Sequence, residues 1–168
     1  RMIDLRSAQQ KLSYVEHIET GDKYNTISTQ TEQAQGLYPY VQRADINGAF
    51  VVESYESRNN PLQADYVNCT FRLKTQSIEE NTYVVGGFND YQNDSPLQLN
   101  PSSGLLEYST ILKQGIYNYQ FKSKNPSNTT LEGNYSQTEN SYEILVYFQK
   151  PGTRYDALVG YTSVVSGQ

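Results

Sequence analysis

The sequence predicts an all-β protein whose larger part folds as an immunoglobulin-like β-sandwich. Three observations carry that expectation. Strand-like runs alternate with turn signals about every 8–12 residues, the spacing of sandwiches rather than of βαβ units. A helical period is sustained nowhere except in one short stretch near the start. The 16 tyrosines supply ring area that the mean hydropathy of -0.70 undercounts, so a core can form although only 36% of residues are hydrophobic.

Near the start, Leu5, Ala8, Leu12 and Val15 fit helical spacing, yet Lys11 to Glu19 also alternates as a strand. Thr20-Gly21-Asp22-Lys23 then turns the chain into Tyr24 to Thr29, so a hairpin is expected. Residues 30–45 are polar, contain Gly36 and Pro39, and read as a connection. Residues 1–44 are therefore assigned to the last strands of a preceding β-domain plus a connection, and residues 45–168 to the sandwich. Arg1-Met2-Ile3-Asp4 resembles the middle of a strand-rich region and has no apolar leader, which suggests a fragment of a longer polypeptide.

Within the sandwich, Asn47-Gly48 marks a turn and Ala49 to Ser54 a first strand. From Ala64 to Lys74 the alternation puts Val67, Cys69, Phe71 and Leu73 on one face and Tyr66, Asn68, Thr70 and Arg72 on the other. Thr82 to Val85 is the next strand. It runs into Gly86-Gly87, which suits a bulge or a close backbone approach, and then into a polar loop from Asn89 to Ser95. Pro96 to Leu99 is a short strand, and Asn100-Pro101-Ser102-Ser103-Gly104 is a turn by composition. Leu106, Tyr108, Thr110 and Leu112 then alternate. Lys113-Gln114-Gly115 is expected to reverse the chain as a hairpin into Ile116 to Phe121, where Tyr117, Tyr119 and Phe121 share a face. Tyr142 to Gln149, with Ile144, Val146 and Phe148 in line, and Tyr155 to Val165 complete the strand set. A closed barrel shares this periodicity, but seven or eight short strands over this length match the sandwich better.

Composition narrows the function. A net charge of -5 and an isoelectric point near 4.9 leave no basic stripe for phosphates, so nucleic acid is not an expected partner. No run reaches the roughly 20 apolar residues of a membrane-spanning helix, so no direct span is expected. The single cysteine, Cys69, excludes an internal disulfide and any multi-cysteine metal site, and it suits a reducing or an oxidising compartment. A nucleophilic pair between Cys69 and the only histidine, His17, would need an exposed thiol, whereas alternation turns Cys69 inward. Glycoside hydrolysis needs two acids facing each other across a cleft. Here Asp65, Glu79, Glu80, Asp90, Asp94, Glu107, Glu132, Glu139, Glu143 and Asp156 fall mostly at turns or on outward faces. Asn89, Asp90, Asn93, Asp94 and Ser95 form an oxygen-rich loop, but without the spacing or closing glutamate of an EF-hand. Glycosylation triplets begin at Asn68, Asn93, Asn128 and Asn134, as expected by chance in a chain rich in Asn, Ser and Thr. The expectation is a binding or structural protein, not an enzyme, with no metal and no cofactor.

Two resemblances sharpen this. Tyr83-Val84-Val85-Gly86-Gly87-Phe88-Asn89-Asp90-Tyr91, the interval from Leu97 to Tyr108, Leu112 to Phe121, Glu132-Gly133-Asn134 and Glu139-Asn140-Ser141-Tyr142 together resemble glycogen- and starch-binding sandwiches of the early-set immunoglobulin-like class. This implies a glycan ligand, with Phe88, Asn89, Asp90, Tyr91 and Asn118 as binding residues. Tyr91 stands where such modules often carry Trp, so less ring area is offered to a sugar. Tyr117 and Tyr119 share a face with Phe121 and are expected in the core.

Further blocks cover nearly the whole chain. They are Ile3-Asp4-Leu5-Arg6-Ser7, Asp45 to Val51, Ala64-Asp65-Tyr66-Val67, Gly86-Gly87-Phe88-Asn89, Leu112 to Tyr119, Glu132-Gly133-Asn134, Thr138-Glu139-Asn140, Ile144-Leu145-Val146-Tyr147 and Arg154 to Gly160. In this order they resemble the C-terminal half of the type IX secretion system plug protein family. That resemblance implies a periplasmic protein associated with the outer membrane. Such a protein docks on a translocon protein and closes its channel when no substrate occupies it.

Overall fold

The computed structural model describes residues 1–36, 38–41, 45–58, 60–74 and 81–166. Glu79 and Glu80 lie outside the described residues. The described chain is all-β. Its strands are β1 (Met2–Asp4), β2 (Val15–Glu19), β3 (Thr26–Thr29), β4 (Glu32–Gln33), β5 (Phe50–Val52), β6 (Tyr66–Lys74), β7 (Thr82–Gly86), β8 (Gln98–Asn100), β9 (Leu105–Lys113), β10 (Gly115–Ser123), β11 (Asn140–Phe148) and β12 (Ala157–Ser166). One turn of 3₁₀ helix, Gly87–Asn89, follows β7.

Two sheets form the sandwich. In the four-stranded sheet, β1, β5 and β7 all pair antiparallel with β10. The six-stranded sheet runs β2-β3-β6-β9-β8, with β4 also on β6, and β3 and β4 lie parallel to β6. A single apolar cluster joins the sheets. Ile3, Val84, Tyr117, Tyr119 and Phe121 come from the first, and Ile27, Val67, Cys69, Phe71, Leu73, Leu106 and Leu112 from the second. The inward row of β6 is realised, since Val67, Cys69, Phe71 and Leu73 are each 0% exposed, and Thr70 on the other face is buried as well. Burying an aliphatic or aromatic side chain of this size is worth about 1.5–3 kcal/mol. The rings expected to share a face on β10 do so. Tyr119 meets Phe71 edge-on at 4.8 Å and Phe121 edge-on at 5.7 Å. Burial raises the pKa of both Tyr117 and Tyr119 hydroxyls.

The N-terminal hairpin forms as β2 and β3, but the expected domain boundary at residue 44 is corrected. The chain divides instead into Arg1–Pro39 with Arg43–Gly133, and Tyr40–Gln42 with Asn134–Gln168. The first 39 residues belong to the sandwich, because β1 hydrogen-bonds to β10 and β3 to β6. Arg1 fastens them. Its side chain is 1% exposed and donates to Glu32 at 2.5 Å and Glu132 at 2.8 Å, over the ring of Phe121. Two carboxylates and the carbonyls of Gln33 and Leu131 satisfy the guanidinium, which a buried charge requires.

The hairpin expected at Lys113-Gln114-Gly115 is a second correction: β9 pairs with β6 and β8, and β10 with strands of the other sheet. The three residues form a corner between sheets. Buried Gln114 holds it, accepting from the Asp65 N–H at 3.0 Å and donating to Glu56 at 2.7 Å, while its backbone bonds Asp65 and Glu53. Gly115 is needed because a Cβ there would lie 2.2 Å from the Val51 carbonyl oxygen.

The third correction concerns the last two strands, expected inside the sandwich. Among the described residues β11 and β12 pair only with each other, in register from Asn140↔Ser166 to Phe148↔Ala157, with an irregularity at Val146/Tyr147. Every residue of β11 is exposed. Leu145 and Tyr147 make the second face of β11 apolar as well, so alternation on this strand marks no wet side.

Candidate functional site

The residues proposed to bind ligand gather where β7 leaves its sheet. Gly86 is extended and closely approached, since a Cβ would lie 2.6 Å from the Asn118 carbonyl oxygen and 2.8 Å from the Phe88 ring. The 3₁₀ turn then carries Phe88 inward, where it stacks on Phe71 at 5.7 Å and meets Tyr117 edge-on at 6.3 Å. Asn89 holds the loop closed. Its Oδ1 accepts from the Gly86 N–H at 2.9 Å. Its Nδ2 faces the carbonyls of Val84 and Gln92, the Asp94 carboxylate and the Ser95 hydroxyl at 3.1–3.3 Å. Asp90 and Tyr91 follow with φ of 50° and 56°, left-handed values that are uncommon for a bulky aromatic residue.

Tyr91 is kept there by its hydroxyl, which donates to the Gly48 carbonyl at 2.5 Å. Gly48, at φ 76°, closes the Asn47-Gly48 turn expected from the sequence, and a Cβ there would lie 2.2 Å from the Tyr91 hydroxyl oxygen. Burial, and after it the charge of Asp45, raise the Tyr91 pKa. Asn118 ties the same turn to β10. Its Oδ1 accepts from the N–H groups of Ile46 (2.8 Å) and Gly48 (3.1 Å), and its Nδ2 donates to the Arg1 carbonyl at 3.2 Å.

Phe88, Asn89, Asp90, Tyr91 and Asn118 are thus brought to one end of the sandwich. Phe88, Asn89 and Asn118 face the fold, with the donors and acceptors of both amides engaged. Asp90 and Tyr91, the latter 40% exposed, present the most surface to a ligand, while Phe88 and Asn89 are half-buried and Asn118 is buried.

Other candidates are separated. His17 is exposed on β2 opposite Ser28, whereas Cys69 sits fully buried on β6, where desolvation raises its thiol pKa and suppresses the thiolate. Among the described residues, no group of three or more His, Cys, Asp or Glu is arranged to hold a metal ion. Among them, too, no helix is long and apolar enough to cross a membrane.

A second surface was missed at the sequence level: the ribbon of β11 and β12. Tyr142, Ile144, Leu145, Val146, Tyr147, Phe148, Leu158, Val159, Tyr161, Val164 and Val165 are all exposed on it. Apolar surface on that scale is uncommon on the exterior of a monomeric soluble domain. The available signal was the run Ile144-Leu145-Val146-Tyr147-Phe148, apolar on both faces at once.

By fold, the chain is an all-β sandwich accompanied by an apolar two-stranded ribbon. No protein-family model matches it, and no curated protein does. It is similar to the crystal structure of a hypothetical protein from Parabacteroides merdae ATCC 43184, with a TM-score of 0.86 and 29% sequence identity, over 99% of this chain and 44% of that one. The chain therefore spans less than half the length of that protein.

Proposed function

We propose that this chain is a non-catalytic structural component that works by protein–protein docking, with the β11–β12 ribbon as its docking surface. The observation that carries this reading is the exposure of apolar side chains on both faces of a ribbon that, among the described residues, pairs with no other strand. An isolated two-stranded hairpin is marginal in water, so a partner would stabilise it. The ordered blocks that resemble the type IX secretion plug family supply the finer reading: a periplasmic protein that docks on an outer-membrane translocon and seals its channel. The engagement of Asn89 and Asn118 within the fold leaves a glycan-binding module with less support.

The test introduces charge on the face of the ribbon that carries Leu145, Tyr147 and Leu158. The double variant Leu145→Glu/Leu158→Glu, expressed in place of the native protein, is expected to lose co-purification with the translocon and to make the outer membrane leak. Circular dichroism of the purified variant should keep the sandwich signal. Unchanged co-purification and sealing would refute the reading.

A further inference from the structure

We infer that Asn47 is a latent deamidation site, which Asn118 and Tyr91 hold closed by engaging the N–H and the carbonyl of Gly48. The turn itself demands this pair of residues. Asn47 and Gly48 are both left-handed, at φ of 54° and 76°, and the Ala49 N–H closes the turn on the Ile46 carbonyl at 3.1 Å, the arrangement of a type I′ turn. Asparagine enters that conformation more readily than most residues with a side chain. Position 48 must stay glycine, because a Cβ would lie 2.2 Å from the Tyr91 hydroxyl oxygen. The same pair is chemically labile. Glycine leaves its amide nitrogen unshielded, and Asn47 is exposed to water.

The reaction needs water alone. The Gly48 nitrogen, its proton taken by water or hydroxide, attacks Cγ of Asn47. A bond forms between them, the Cγ–Nδ2 bond breaks, and the amide nitrogen takes up a proton and leaves as ammonia. Water then opens the cyclic imide at either carbonyl, which yields aspartate or isoaspartate. Conformation is what opposes this. A type I′ turn sets ψ of Asn47 at about +30°, which turns the Gly48 nitrogen to the far side of the Cα–C bond from the side chain. Ring closure requires the peptide plane between the two residues to swing round. Asn118, buried on β10, resists that swing: its Oδ1 accepts from the Gly48 N–H at 3.1 Å and from the Ile46 N–H at 2.8 Å. On either side, Asp45 Oδ1 accepts from the Asn47 N–H at 2.9 Å and the Gly48 carbonyl accepts from the Tyr91 hydroxyl. Every backbone N–H from Ile46 to Ala49 is thus engaged. Isoaspartate would lengthen the backbone by one atom, place a negative charge beside Asp45 and release Tyr91. Conversion therefore marks chains in which this end of the sandwich has opened.

Peptide mapping of the whole folded chain, aged in mildly alkaline buffer, tests this. The tryptic peptide 44–58 holds Asn47 as its only asparagine, so the mass gained on exchanging amide for acid is assigned directly. Labelling by isoaspartyl methyltransferase reports the isoaspartate. The same peptide made synthetically supplies the unguarded rate. Folded wild type should convert at least about tenfold more slowly than the free peptide, since several hydrogen bonds must open first. Asn118→Ala removes the acceptor, and Tyr91→Phe keeps the ring but loses the bond to Gly48; each should raise the folded rate at least about threefold. Circular dichroism shows which variants are folded, and Tyr91→Phe, at an exposed position, tests the closure even where Asn118→Ala does not fold. Wild type that converts as fast as the free peptide would overturn the inference, and so would a free peptide that stays intact. A folded variant of either kind that converts at the wild-type rate would overturn it equally.

Discussion

Asn89 separates the two roles its position suggests, because a ligand contact and a loop fastener respond differently to truncation. In Asn89→Ala the Gly86 N–H loses its acceptor and the four groups around Nδ2 lose their donor. An amide nitrogen carries only two hydrogens, so those four contacts count as two bonds at a time, and the side chain makes about three in all. At about 0.5–1.5 kcal/mol each, discounted toward the low end because water reaches part of this loop, the loss is about 2 kcal/mol. For a chain of this size that corresponds to a fall in melting temperature of roughly 4–8 °C. Asn89→Asp should destabilise at least as much, since a carboxylate oxygen would then face the Val84 carbonyl and Asp94. Urea unfolding followed by far-ultraviolet circular dichroism and tyrosine fluorescence measures both variants. The reasoning fails if Asn89→Ala lies within about 0.5 kcal/mol of the wild type, for then the side chain is free for another task.

Three further outcomes are expected. Gly115→Ala should cost about 3 kcal/mol or prevent folding, since its Cβ has no room against Val51. Gly104→Ala, with open space but φ of +69°, should cost only about 1 kcal/mol of backbone strain, and thermal unfolding ranks the two. The native protein should resist a disulfide thiol reagent until denaturant is added, because Cys69 is buried and its pKa is raised; rapid labelling in buffer would contradict the core assignment. For Glu56, burial alone would raise the pKa, but hydrogen bonds from Ser7, its own backbone, Gln114 and Ser54 outweigh it and hold the pKa below 4.5. A lowered folded-state pKa means that the stabilisation is complete above about 4.5 and is lost as pH falls through the lower folded value. The stability gap between the wild type and Glu56→Gln should therefore narrow in acid. This side chain is more than a third exposed and solvent screens it, so the gap at neutral pH should be about 1 kcal/mol or less. Urea midpoints at pH 7, 4 and 3 read the trend.

Local chemistry made most of the strands legible. Alternation on β6 and the three rings of β10 identify core faces, because a side-chain period of two assigns each residue to one side wherever the chain is extended. Asn47-Gly48 and Gly86-Gly87 likewise announce a left-handed turn and a close backbone approach. The candidate loop was legible as a cluster of Phe88, Asn89, Asp90, Tyr91 and Asn118, but not in its use. Whether an asparagine faces water or staples a loop depends on which backbone groups surround it, and Asn118 meets Ile46 and Gly48 across 72 and 70 residues of chain.

The amino-acid sequence by itself determined the all-β class, the inward row Val67-Cys69-Phe71-Leu73, and the turns. Only the tertiary structure decided which strands share a sheet. It moved β1 to β4 into the sandwich, turned Lys113-Gln114-Gly115 into a corner rather than a hairpin, and paired β11 with β12 alone among the described strands. The physical reason is that alternation fixes the faces of a strand and says nothing of its edges. Edge pairing is a choice among distant backbones with the same hydrogen-bonding groups, settled only when the whole core is assembled.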